Sequence, residues 1–71
     1  MVAQRLRELR KQHTLTQQAA ADGLGMLVQQ YQAYEFGRKT PSCPTLIALA
    51  DFFDVSIDYL VGRTDNPSVN I

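Results

Sequence analysis

The chain is poor in residues that build covalent or metal-held scaffolds. It has one cysteine, Cys43, and one histidine, His13. A lone thiol excludes an internal disulfide, and the pair cannot complete the four-ligand shell of a structural zinc site. No apolar run approaches the roughly 20 residues that a membrane span needs. The opening MVAQRLRELRK has no contiguous apolar stretch, so no signal peptide is expected. A cytoplasmic protein is the simplest reading of this cysteine usage. No alternating β-pattern, phosphate-binding glycine loop or nucleophile–base arrangement is present. Neither an enzyme activity nor a cofactor is therefore expected.

Charge of either sign is also missing in the total. Seven basic residues balance seven acidic ones, which argues against strong non-specific affinity for DNA. The charges are segregated, however. Residues 1–40 carry six basic side chains against three acidic, a net of +3, and residues 41–71 carry one against four, a net of −3. Such a domain can offer a basic face to an anion and turn its acidic face away.

What is present is an apolar content of 45% over 71 residues, enough for one small globular domain. Apolar residues recur at helical spacing throughout. Val2, Leu6 and Leu9 share one face of a helix over about residues 2–12, with Arg7 on the opposite face. Thr16 is placed to cap a second helix over about residues 17–23, which turns Ala20, Ala21 and Leu24 inward. Gly23 inside that helix costs about 1 kcal/mol against alanine. Gly25 sits where a left-handed residue would end it. A third helix spans about residues 27–36, closed by Gly37. Ser42 can cap a fourth, with Leu46, Leu49, Ala50 and Phe53 as its stripe. Ser56 can cap a short fifth, with Ile57, Leu60 and Val61 inward. The fold class is all-α, a compact five-helix bundle. Residues 1–62 form one domain and residues 63–71 a loose tail.

Residues 15–37 read as helix, glycine turn, helix. At about 100° per residue, the third helix directs Leu27, Tyr31 and Tyr34 one way and Val28, Gln29, Gln32, Ala33 and Phe36 the other. That outward face is uncharged. A glutamine amide both donates and accepts, matching the N6 and N7 edge of adenine, and Val28 and Ala33 can rest on a thymine methyl. These four are the candidate base-reading residues, on an A·T-leaning site. Phosphate contacts then fall to Gln17 and Gln18 at the start of the second helix, to the Arg38–Lys39 loop and to Ser42.

The chain here resembles the lambda/434 repressor and Cro-like helix-turn-helix family, also called the XRE family. The resemblance covers about residues 2–62. It is carried by RLRELRK at 5–11, LTQ at 15–17, ADGLG at 21–25, YEFG at 34–37, RKTP at 38–41 and DFFDVSIDYLVGR at 51–63. It implies a lambda-repressor-like bundle that binds double-stranded DNA as a homodimer on a two-fold operator. It implies that Gln17 touches phosphate and braces a recognition glutamine. It also implies that Arg10 and Glu35 pair to tie the first helix to the third. Three residues depart from the family pattern. Leu27 stands where a hydroxyl cap is usual, Ala20 where leucine is usual, and Tyr31 replaces a smaller aliphatic residue and can fill the space Ala20 vacates. Phe36, where a polar residue is common, can pack on the sugar-phosphate backbone or on the bundle.

The remaining candidates read as structural. His13 and Cys43 are surface residues, and Asp51, Asp54 and Asp58 follow no calcium-loop spacing. No metal site is expected. Phe52, Phe53, Ile57, Tyr59, Val61, Val69 and Ile71 exceed what a short helix pair buries, so some are candidates for a two-fold interface. The leading reading is a sequence-specific transcriptional regulator, a repressor reading the major groove with the third helix. The rival is a protein-interaction module on the same fold, such as an antitoxin subunit with a protein partner. The neutral total charge favours that rival slightly.

Overall fold

Helix boundaries fall where side-chain hydroxyls can accept an orphan amide. The Thr16 hydroxyl accepts from the Ala19 amide at 3.0 Å, Ser42 from Thr45 at 3.4 Å and Ser56 from Tyr59 at 3.0 Å. The computed structural model describes residues 1–68. These form α1 (Val2–Gln12), α2 (Gln17–Leu24), α3 (Val28–Glu35), α4 (Cys43–Phe53) and α5 (Ile57–Leu60). No strand occurs among the described residues, and none of their helices is long and apolar enough to cross a membrane. Val69 and Ile71, two of the candidate interface residues, lie outside the described residues.

The α2–α3 turn depends on Gly25. Its φ of 70° is left-handed, which a side chain would disfavour. There the Gly25 and Met26 amides return to the Asp22 and Ala21 carbonyls. Two consecutive helices are thereby joined by a turn of three residues.

One apolar cluster holds the bundle together. Leu6 and Leu9 enter it from α1, Ala20 and Ala21 from α2, Tyr31 and Tyr34 from α3, and Leu49, Ala50 and Phe53 from α4. Tyr31 is fully buried in the same cluster as Ala20, as the proposed exchange of volume between α2 and α3 requires. Gly23 also has a packing reason. A Cβ there would overlap the Phe52 ring, so its missing side chain lets α4 approach α2.

Two apolar expectations fail. Leu27 does not point inward but is 72% exposed. It is the N-cap of α3 with extended backbone (φ −68°, ψ 145°), so helical phase does not apply to it. Ile57 is 38% exposed, and Tyr59 is buried instead. The Tyr59 ring lies under the Arg5 guanidinium at 4.0 Å, a cation–π contact that accounts for its inward place. Residues beyond α5 fold back on the bundle. Arg5 reaches Asp65 at 2.8 Å, and the Ser56 amide donates to the Pro67 carbonyl at 3.0 Å. Asp65 is fully exposed, so the ion pair adds little.

Candidate nucleic-acid interface

The outer face of α3 is set from behind by its buried face. Tyr31, Tyr34 and Glu35 lie inside, which leaves Gln29 and Gln30 exposed and Gln32 and Ala33 half-buried. Val28 is also half-buried, and it packs against the core cluster. Gln29, Gln32 and Ala33 thus share the face that helical projection assigned to them. Val28 divides its surface between that face and the core.

A charged line runs beneath α3 from α1. The Arg10 guanidinium takes the Glu35 carboxylate with contacts of 2.9 to 3.1 Å. The Glu35 side chain is 1% exposed and that of Arg10 16%. Burial alone would raise the Glu35 pKa, but hydrogen bonds led by Arg10 outweigh it and hold the carboxyl below its ordinary value. Arg10 also donates to the Leu15 carbonyl at 2.9 Å, which fixes the α1–α2 connection to the same pair. The Tyr31 phenol is buried nearby without a hydrogen-bond partner, and burial drives its pKa up.

The line continues from Glu35 to the outer side of α3. The Gln17 amide nitrogen donates to Glu35 at 3.3 Å, and the Gln32 amide nitrogen donates to the Gln17 oxygen at 2.9 Å. Chemistry dictates this orientation. A carboxylate only accepts, so Gln17 must offer it N–H and turn its own oxygen to Gln32. One N–H and the carbonyl oxygen of Gln32 are then left for another ligand. Gln17 therefore braces Gln32 physically.

The other candidate residues are arranged differently. The Gln18 amide donates to Asp22 at 2.8 Å on its own helix, so its side chain is engaged. Its backbone N–H, within the first turn of α2, has no intrahelical partner. The Ser42 hydroxyl is occupied by its capping role and by Thr45 Oγ1 at 3.1 Å. Arg38 and Lys39 are exposed on the loop after α3. The Arg38 guanidinium lies 5.3 Å from the centre of the Phe36 ring, itself 49% exposed.

Sequence reasoning missed Arg7. Placed on the outer face of α1, it is half-buried and donates to the Glu35 carbonyl at 2.7 Å. It thereby satisfies an orphan carbonyl in the last turn of α3, where a cation also suits the helix dipole. The available signal was its spacing, since residues three apart share a helix face and Arg10 was already assigned to α3.

Two helices joined by a left-handed glycine, the second with its polar face outward, define a helix-turn-helix module. A family model described as helix-turn-helix matches residues 6–60, and the chain belongs to that family, in its lambda-repressor-like XRE form. The family is one of transcriptional regulators, not of enzymes. Among similar proteins is YobD of Bacillus subtilis (strain 168), named an uncharacterized HTH-type transcriptional regulator. It is 42% identical over 71 residues, 100% of this chain and 63% of YobD. The HTH-type transcriptional regulator AnsR of the same organism is 46% identical over 59 residues, 83% of this chain and 51% of AnsR. The cryptic phage CTXphi transcriptional repressor RstR of Vibrio cholerae is 37% identical over 62 residues, 87% of this chain and 55% of RstR. The chain therefore spans between half and two thirds of the length of these relatives.

Proposed function

We propose that this chain is the operator-reading part of a transcriptional repressor, with α3 in the major groove of double-stranded DNA. The observation that carries the reading is the Arg10–Glu35–Gln17–Gln32 line, which ends on the half-buried Gln32 amide with one N–H and its oxygen not engaged by the chain. A buried ion pair is a costly support for a surface glutamine unless that glutamine's placement matters. The names of the relatives support regulation, and that of RstR supports repression. Gln29, Gln32, Ala33 and the exposed part of Val28 read bases. Gln17, Arg38, Lys39 and the first amides of α2 and α4 hold phosphates. Such a protein acts in the cytoplasm. Selection from random duplexes at fixed salt tests this reading directly. Recovery of an A·T-leaning motif supports it, and recovery of no motif overturns it.

Lys39 supplies a separate check. Lys39→Ala is expected to weaken all duplexes alike and to lower the salt slope by about 1, without changing base preference. A change confined to one sequence would remove Lys39 from the phosphate contacts.

The domain also works as a dimer in this proposal, which places two α3 helices about one DNA turn apart. Ile57 on α5 and Ile47 on α4 support it, since both are large exposed apolar residues. Light scattering at micromolar concentration, with operator present, is expected to give the mass of two chains plus that of the duplex. A single chain per operator would overturn the dimer.

A further inference from the structure

α3 is the exception among the four helices that follow α1. Thr16, Ser42 and Ser56 each cap a helix with a hydroxyl, whereas Leu27 makes no capping bond. Leu27 is also the most exposed large apolar side chain among the described residues, at 72%. Both features work against the isolated fold. A serine there would satisfy an amide of α3 and remove apolar surface from water. The residue contributes nothing to the core cluster. It stands directly before Val28 and Gln29, at the end of the recognition helix whose residues meet base edges in this class of module.

Resting on the DNA-reading proposal above, we infer that Leu27 is a further specificity-determining residue. Its side chain seats the 5-methyl group of a thymine and extends the apolar lip begun by Val28 by one base pair. The major-groove edge of thymine is the one natural base edge that offers a methyl, so an uncharged branched side chain discriminates there by contact alone. The missing cap and the exposed leucine then have a single explanation. The position is tuned for the complex and not for the free domain.

The test uses the selected operator with each thymine replaced in turn by deoxyuridine, which deletes only the methyl. At one thymine, replacement is expected to weaken the wild-type chain about fourfold, the equivalent of about 0.8 kcal/mol for one buried methyl. The same replacement should leave Leu27→Ala and Leu27→Ser unaffected. Leu27→Ser should also melt about 5 °C higher, because it regains the cap, so loss of methyl sensitivity cannot be ascribed to unfolding. Equal methyl sensitivity of wild type and both variants at every thymine would overturn the role of Leu27 and leave operator reading intact. Recovery of no operator at all would overturn both.

Discussion

Glu35→Gln is expected to destabilise the protein by about 3 kcal/mol, because breaking a buried pair from one side strands the remaining charge. Arg10 keeps only 16% of its side-chain surface in water, so solvent cannot replace the carboxylate. For a domain of this length that loss lowers the melting temperature by roughly 15 °C, a large share of the stability of any small domain. Replacing both partners together by leucine and methionine should cost less, since no charge is then left unpaired. If the single and the double variant melt alike, the pair does not act through charge. The same residue gives the chain an acid limb. Its folded-state pKa lies below the ordinary 4.5, so the unfolded chain binds the proton more readily. The Glu35 contribution is complete above that ordinary value. It is lost as pH falls from about 4.5 toward the lower folded-state value. Thermal melts of Glu35→Gln should show a flatter dependence over that window than the wild type.

The parts legible in the sequence are those that local chemistry decides. Thr16, Ser42 and Ser56 could be assigned as caps because a hydroxyl before a helix has one geometry that satisfies an amide. Gly25 was legible because few residues tolerate its φ. Leu27 was misplaced because helical phase was extended to a cap residue, whose backbone is not helical. Ile57 and Tyr59 exchanged roles because a four-residue helix has too short a period to choose its own inner face. Arg5, on another helix, makes the choice. The reason for Gly23 lies in the Phe52 ring, 29 positions away, where no local rule reaches. The candidate site divides the same way. Helical projection found the face of Gln29 and Gln32. The Arg10–Glu35 tie and the Gln17 brace came from family resemblance, and Arg7 from neither.

Gln32→Ala is expected to relax base preference at one A·T pair by about 1–3 kcal/mol, the discrimination of a bidentate amide–adenine contact. With one N–H given to Gln17, Gln32 retains an N–H for adenine N7 and its oxygen for the N6 amino group, so bracing and reading do not compete. Gln29→Ala should relax a different base pair, because Gln29 is exposed on the same face one turn earlier. Gln17→Ala separates the two roles given to that residue. As a phosphate ligand it should weaken every duplex alike. As the brace it should also reproduce part of the Gln32→Ala relaxation, since an unheld glutamine must lose rotamer freedom on binding. The Gln17 and Gln32 substitutions share one hydrogen bond, so their effects on preference should fall short of additivity. Gln17 and Gln29 share none and should add. A double-mutant cycle measured on the selected operator decides the matter. Full additivity of Gln17 with Gln32 would mean that the 2.9 Å contact does not survive in the complex. The line from Arg10 would then serve only to hold α1 against α3.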